Sequence, residues 1–576
     1  MKHLLIGINA KFIHSNLAIR YIQAFGEKKG LSIEYSEYTI NQSSDYILDE
    51  IIKQEPNLIG FSCYLWNIEM IIKMVQMIRL IRPNMRIVLG GPEVSYNPVT
   101  WMTQYPEIDY IISGEGEIPM VHLLTCLEKD CKDGWIKVGS LTYRSQGLIK
   151  QNPQEVPMSM AEVPFAYKKD LLGLEHRIIY YETSRGCPFN CEYCLSSIEK
   201  GVRFRPLHMV FEELQFFLNQ GVRQVKFVDR TFNAKKSHSM AIWTYLRDHD
   251  NGITNFHFEI TADLLDEEDI LFLKTVRTGL FQFEIGVQST NHETIVDINR
   301  QTDFEVLRER VLALKANGNI HLHLDLIAGL PKETYEAFGK SFNDVMAIRP
   351  EQLQLGFLKV LKGSKIDEQQ EAYGIVSRKH PPYEVLETRE MRYEDLRKLK
   401  DIEVLLEYYY NSGQFSNSIA YLMDLFDHPF ALFENLRDYW DVEGLHHVKH
   451  HKIKFYDLLY EFGQQESKVC QDTLAQWLMH DLCLQEKPKK WPEFVNVKEG
   501  LQPEVKNFYQ SHFPMDSLFK AYEGYNIKQI IRMSHVERYD FNPLLGPKAK
   551  GINYIFYDYK TREKMTGQAI ATRIRL

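Results

Sequence analysis

Along the first 150 residues, short apolar runs alternate with segments of helical period. His3–Asn9, Leu31–Glu37, Leu58–Cys63, Arg86–Leu89 and Tyr110–Ser113 have the length of buried strands, and amphipathic stretches such as Asn67–Ile81 lie between them. Strand–helix alternation at this spacing predicts a parallel, doubly wound, Rossmann-like sheet with its ligands off the carboxyl ends of the strands. At those ends stand Ser62 with Tyr64 and Leu65, then Gly90-Gly91-Pro92-Glu93, then Gly114-Glu115-Gly116-Glu117. Glycine at a strand exit lets a ligand approach the backbone. Glu117 also falls at the start of a helix, where a carboxylate is favoured in any case. Residues 137–150 read as a hairpin about Gln146-Gly147. Pro153, Pro157 and Pro164 then mark an extended linker over 151–177.

The alternation resumes at Ile178–Thr183, Gln224–Asp229, Phe256–Thr261, Phe281–Val287, Ile320–Ile327 and Gln352–Val360. A helical segment follows each of the first five, which predicts a partial (β/α)6 barrel over 178–368 with active groups at the strand ends. Those ends carry Asp229, Thr261, Glu284 with Gln288, and Gly329-Leu330-Pro331. His321 and His323 share one face of the fifth strand and read as a packed or hydrogen-bonded pair. From 369 to 576 the pattern is mostly helical, with Leu396, Leu399, Ile402, Leu405 and Leu406 on one face of Met391–Tyr410. The fold class is thus α/β: a doubly wound sheet (1–150), a linker, a partial barrel and a helical C-terminal domain, the last a candidate substrate cap. Near the end, Tyr554–Tyr559 reads as an alternating strand flanked by solvated Lys and Arg.

Composition narrows the setting. A net charge of −9 argues against a wholesale nucleic-acid coat. No apolar run approaches a membrane span, and Leu4–Ile8 is too short for a signal segment. The cysteines show no secreted disulfide pattern, so the expected compartment is a reducing cytoplasm.

Three of the eight cysteines fall in Thr183–Cys194, as Cys187, Cys191 and Cys194, spaced C-x3-C-x2-C on the loop leaving a strand. Thiolates are the usual ligands of iron–sulfur clusters, and three ligands for four irons leave one iron open. Structural zinc normally takes four ligands, and no fourth cysteine lies nearby. Here the chain resembles the radical S-adenosylmethionine superfamily, with Tyr193 before the last cysteine also fitting. The resemblance implies a 4Fe–4S cluster on Cys187, Cys191 and Cys194 whose open iron chelates S-adenosyl-L-methionine and reductively cleaves it. It further implies S-adenosylmethionine contacts from Tyr193, Asp229 (near the methionyl amino end), Thr261, Glu284, Gln288, and Gly329 with Leu330 near the adenine, with more adenine contact around Leu358.

The first domain resembles the cobalamin-binding domain that precedes many such enzymes. That implies a cobalamin held by Ser62, Tyr64, Leu65, Gly90, Gly91, Glu115, Gly116 and Glu117. The D-x-H-x-x-G signature that supplies an axial histidine is absent, and His14 reads as a polar residue near a helix start. Cys63, Cys126 and Cys131 admit a methylthiotransferase-like arrangement with a second cluster. Cys126 and Cys131 fall within or just after predicted helix Val121–Glu128 and only Cys63 is near a strand end, which favours reading all three as small apolar residues. The C-terminal third resembles the helical extension of one branch of cobalamin-type radical proteins. The resemblance implies methylation of an unactivated carbon of a small-molecule or RNA substrate, with an electron donor such as flavodoxin or ferredoxin. Alternatives are radical rearrangement or cyclisation without methyl transfer, a cluster-only or methylthiotransferase-like RNA modifier, and a non-catalytic cobalamin sensor. The complete cysteine triad counts against the sensor, and no general base can be named.

Overall fold

The computed structural model describes residues 1–129, 134–167, 171, 173–198, 201–495, 503–513 and 517–576. Cys131 lies outside the described residues. The first sheet has five parallel strands, His3–Asn9, Ile33–Thr39, Leu58–Ser62, Arg86–Gly90 and Tyr110–Ile112, in the spatial order 2-1-3-4-5. All of His3–Asn9 and Leu58–Ser62 is buried, as expected of central strands covered by helices on both faces. The order reverses between these two strands, so a crevice opens beyond Asn9 and Ser62.

The hairpin Leu141–Ser145 and Leu148–Gln151 turns at Gln146 and Gly147, both at positive φ. Two such residues give the primed turn whose twist matches the strands. The hairpin pairs antiparallel with Tyr110–Ile112 and extends the sheet to seven strands, so it is mixed rather than wholly parallel. The stretch 151–177 is not a free linker. Met158, Met160 and Val163 are buried in the core of the first sheet, and Arg205 donates to the carbonyls of Met160 and Val163 at 2.9 and 2.8 Å.

The second sheet holds Ile179–Tyr181, Gln224–Phe227, Asn255–Ile260, Phe281–Gln288, His321–Ala328 and Gln352–Phe357, all parallel and in sequential order. This is the six-stranded partial barrel. Phe256, Phe258, Phe281 and Phe283 pack outward with Phe227, Phe232 and Trp243. The opposite face is polar: Lys226, His257, Glu259, Glu284, His323 and Asp325. His323 lies 3.1 Å from Asp325, so its partner is that carboxylate rather than His321.

The C-terminal region is mostly helical, but it ends in a three-stranded antiparallel sheet, Ser534–Phe541, Lys550–Arg562 and Ala569–Ile574. Ile555, Phe556 and Tyr557 are fully buried in its middle strand, so those aromatics serve a core. The helices cover the outside of the barrel. Phe430 sits over Gly339, where a Cβ would lie 2.7 Å from the ring. A π-helical turn, Glu407–Asn411, presents Asn411 to the open edge of the last barrel strand. Its side chain accepts from Leu353 N (2.9 Å) and donates to Leu353 O (2.8 Å), occupying an edge that would otherwise be bare. Gly329 and Leu330, expected near an adenine, pack against this region instead. Gly329 has φ +82°, and a Cβ there would lie 2.6 Å from Val385; Leu330 is fully buried. Through these contacts the region buttresses the barrel wall.

Gly329→Ala is expected to destabilise the protein by about 1–3 kcal/mol, from the positive φ and the collision with a β-branched neighbour. Urea unfolding measures this. An unchanged midpoint would contradict the packing described.

Candidate active site between two sheets

The cysteine loop is fixed at its root by Asp229. This carboxylate, 1% exposed, accepts from Thr183 N (2.9 Å), Thr183 Oγ1 (2.7 Å) and Ser184 Oγ (2.6 Å). Asp229 was expected to meet a methionyl amino group, but its oxygens are taken by the loop itself, which makes it a positioning residue. Gly186 then turns with φ +96°, and a Cβ there would lie 2.1 Å from the carbonyl oxygen of Gly201. Only glycine fits.

Cys187, Cys191 and Cys194 line one cavity of about 190 Å³ together with Tyr193, Thr261, Glu284 and Gln288. The structure thus brings together seven residues that sequence reasoning singled out from three separate segments. Glu284 is engaged, by Lys226 at 2.8 Å and His257 at 3.0 Å. Burial opposes its ionisation, but these two partners outweigh it and hold the carboxyl well below the usual range. Gln288 adopts φ +73° at its strand end, and its buried Oε1 has no partner among the described residues. A strained residue with an orphaned acceptor in a cleft fits a bound donor.

Arg300 was not foreseen. Its Nη1 lies 3.9 Å from Cys191 Sγ and 3.3 Å from Tyr193 Oη, its Nε is buried without a partner, and no carboxylate pairs with it among the described residues. It follows the short helix His292–Asp297, 109 residues beyond Cys191, and no local pattern marks it. No three His, Cys, Asp or Glu among the described residues are placed to hold a single metal ion. The thiol set and the unmatched Arg300 fit a larger anionic cluster instead.

Strand ends of the first sheet face this loop. A cavity of about 740 Å³ is lined by Tyr64, Gly91, Glu115, Gly116 and Glu117 on one side and by Tyr180, Glu182, Lys226, Arg230 and Glu259 on the other. Arg230 and Glu259 also line the cysteine cavity, so the two spaces share a wall. A smaller cavity of about 90 Å³ runs under Ser62, Gly90, Gly91 and Gly116. Tyr64 stacks on Trp66 with centroids 4.4 Å apart. Leu65 is half-buried and lines none of these three spaces. His14 lines the large cavity and lies 2.6 Å from Tyr180 Oη. The two glycines differ. Gly91 has φ +108° and a Cβ there would lie 2.5 Å from Cys63 O, whereas at Gly90 the nearest atom would be Ile112 O at 3.6 Å. The space against Gly90 is open, and such a small-residue cradle fits an inserted ligand tail. Cys63 is fully buried and Cys126 lies on helix Glu117–Glu128, in keeping with small apolar roles.

Glu115 and Glu117 were expected to bind ligand, yet their carboxylates hold the sheets together. Arg185, from the cysteine loop, pairs with Glu115 (3.2 Å), Glu117 (2.6 Å) and Glu182 (2.7 Å), and Arg203 also binds Glu115. Burial raises Glu115's pKa, but Arg185 and Arg203 together pull it below the ordinary value. Glu93, after Gly91-Pro92, makes a second tie to Tyr383 and Lys362. Burial, with Glu284 adding to it, pushes Glu259 up to about 7.

The chain matches the B12 binding domain over residues 4–124, the Radical SAM superfamily over 181–345, and a protein of unknown function (DUF4080) over 371–553. The barrel with its cysteine loop is a radical S-adenosylmethionine domain. With the sheet before it, the chain carries a B12-binding domain followed by a radical S-adenosylmethionine domain, the arrangement that matches cobalamin-dependent radical S-adenosylmethionine enzymes. It is similar to the cobalamin-dependent radical SAM methyltransferase TokK of Streptomyces tokunonensis, 25% identical over 58% of this chain and 53% of that one. It is also similar to the uncharacterized methyltransferase PH0819 of Pyrococcus horikoshii, 26% identical over 50% of this chain and 63% of that one. The chain thus spans less than two-thirds of either relative. Among solved structures it shares the fold of the cobalamin-dependent S-adenosylmethionine radical enzyme OxsB with aqua-cobalamin bound (TM-score 0.57, 16% identity, 84% of this chain and 83% of that one).

One buried group near the site yields a pH prediction. Burial pushes Glu333 up to about 8, while Ser289 and Ser341 donate to its Oε1. The fold keeps a proton that the unfolded chain releases near 4.5, so this group's stabilisation is full below that pH and lost as pH rises to about 8. Glu333→Gln should flatten the fall in unfolding free energy over that window by a few kcal/mol, on the order of 1.4 per pH unit. Urea unfolding at a series of pH values tests it. An identical slope in the variant contradicts it.

Proposed function

We propose that this protein is a radical S-adenosylmethionine enzyme that methylates an unactivated carbon of a small molecule. In this reading Cys187, Cys191 and Cys194 hold a 4Fe–4S cluster, and the cradle at Ser62, Gly90 and Gly91 holds a cobalamin. The observation that carries the reading is the shared wall at Arg230 and Glu259, where the cysteine cavity adjoins the space between the two sheets. When bound, the cluster supplies the electron that cleaves S-adenosylmethionine, and cobalamin carries the methyl group.

This chain's residues then have separable tasks. Arg300 offers a guanidinium to the S-adenosylmethionine carboxylate, and Gln288 Oε1 accepts from its amino group. Asp229, through Thr183 and Ser184, fixes where the cysteine loop starts. Arg185 holds the two strand-end surfaces at one separation, with substrate between them and water excluded. Tyr64 and Trp66 give the first sheet a flat aromatic floor. No side chain is assigned as a general base, because the step proposed at an unactivated carbon removes hydrogen rather than a proton. An electron donor such as flavodoxin or ferredoxin supplies the cluster, and a reducing cytoplasm suits cluster thiolates. No helix among the described residues is long and apolar enough to cross a membrane.

Methyl-deuterated S-adenosylmethionine tests the reaction. Product carrying the label, with 5′-deoxyadenosine and S-adenosylhomocysteine both formed, is expected. Unlabelled product without S-adenosylhomocysteine would replace methylation by rearrangement or cyclisation.

Gly90→Val should block the cradle while leaving the backbone intact, because φ there is ordinary and the new atoms enter open space. Cobalt retention after loading with hydroxocobalamin should fall at least about tenfold, the effect of roughly 1.4 kcal/mol or more of steric cost. Retention equal to the wild type contradicts the assignment. Gly91 is unsuitable for this test, since any side chain there strains the loop itself.

A further inference from the structure

Among the described residues, Arg185, Lys226, Arg230 and Arg300 are the lysines and arginines that line the two adjoining cavities. Arg185 is saturated by three glutamates, and Lys226 is paired with Glu284 at 2.8 Å. Arg300 lies among the cysteines, bonded to Tyr193 and the Gly286 carbonyl. Arg230 differs from all three. It is exposed to the cavities, and its guanidinium makes no hydrogen bond or ion pair among the described residues. Its charge is felt by Glu259 and Tyr64 without contact. Glu259, pushed up to about 7, is only partly ionised at neutral pH and is a poor counter-ion.

We propose that Arg230 anchors an anionic group, a carboxylate or a phosphate, of the substrate that enters between the two sheets. This rests on the function proposed above and narrows its substrate class to anionic small molecules. A planar guanidinium offers paired donors to such a group. Once ligands fill the cleft and displace water, an unmatched guanidinium there costs several kcal/mol, and a neutral substrate would leave it unmatched. The S-adenosylmethionine carboxylate is the other source of a suitable group. Arg300, deeper in the cysteine cavity, already serves that one, which leaves Arg230 for the second molecule.

The test uses reconstituted full-length protein with S-adenosylmethionine and reductant. A protein-free small-molecule extract of the host cells is split by anion exchange into retained and unretained fractions, and 5′-deoxyadenosine formation is measured with each. The retained fraction is expected to carry the stimulation. Arg230→Gln should raise the half-saturating amount of that fraction about tenfold or more, the loss expected for one charged hydrogen-bonded contact. Its maximal rate should change less than about threefold and its KM for S-adenosylmethionine less than about twofold. Arg230→Lys should fall between, and unchanged iron content shows that both variants fold. Stimulation carried by the unretained fraction, an unshifted half-saturating amount, or a raised KM for S-adenosylmethionine instead would overturn the proposal. Wild-type protein that forms no 5′-deoxyadenosine under any condition would sink the enzymatic reading itself, and the anion site with it.

Discussion

Arg185 carries the charge on which the geometry of the whole molecule depends. It lies on the cysteine loop, three residues beyond Glu182, yet two of its three carboxylate partners belong to the first sheet. Desolvating a guanidinium costs several kcal/mol, and only close carboxylates recover that. Removing Glu115 or Glu117 would leave a buried charge short of a partner, at a cost of about 3–5 kcal/mol for a broken buried pair. The ion cluster therefore locks the strand ends of one sheet against those of the other. The cysteines, two residues and more beyond Arg185, inherit that placement. Arg177 and Arg20 on Glu37, and Lys362 with Tyr383 on Glu93, repeat the device at other points of the seam.

The barrel shows how one strand pattern serves two demands. Alternate residues of Asn255–Ile260 and Phe281–Gln288 are Phe, Ile or Val packed under helices, which supplies the apolar burial that stabilises the fold. The residues between them include His257, Glu259 and Glu284; Lys226 and His257, from two other strands, pair with Glu284, and His323 pairs with Asp325 on its own strand. A polar interior of this kind has little stabilising value of its own. It keeps the barrel mouth polar and charged, as a site for a zwitterionic ligand requires. Asn411 and the C-terminal helices then close the edge that a six-stranded sheet leaves open.

Much of this was legible in the chain because buried parallel strands read as apolar runs of fixed length. His3–Asn9 and the hairpin at Gln146-Gly147 fall where the pattern puts them, and the three cysteines come to one cavity as their spacing implies. The hidden part is long-range pairing. Nothing local distinguishes an Asp229 that binds a ligand from one that binds Thr183 and Ser184. Nor does anything local show that Glu115 and Glu117 answer an arginine about seventy residues away in sequence. Arg230 and Arg300 carry no periodicity or motif that marks them, and only the fold reveals which arginines lack carboxylates. Gly329-Leu330 had the right sequence for a ligand turn, and only the fold shows that Gly329 lies against Val385 while Leu330 is fully buried.

The central claim is that a single chain holds a cluster and a cobalamin facing one space. The most direct test is the iron, sulfide and cobalt content of the anaerobically reconstituted chain, alongside a variant with Cys187, Cys191 and Cys194 all changed to Ala. The account predicts about four iron, about four sulfide and about one cobalt per wild-type chain, and a triple variant that loses iron and sulfide but keeps cobalt. Full iron in the triple variant, or two clusters and no cobalt in the wild type, would contradict it.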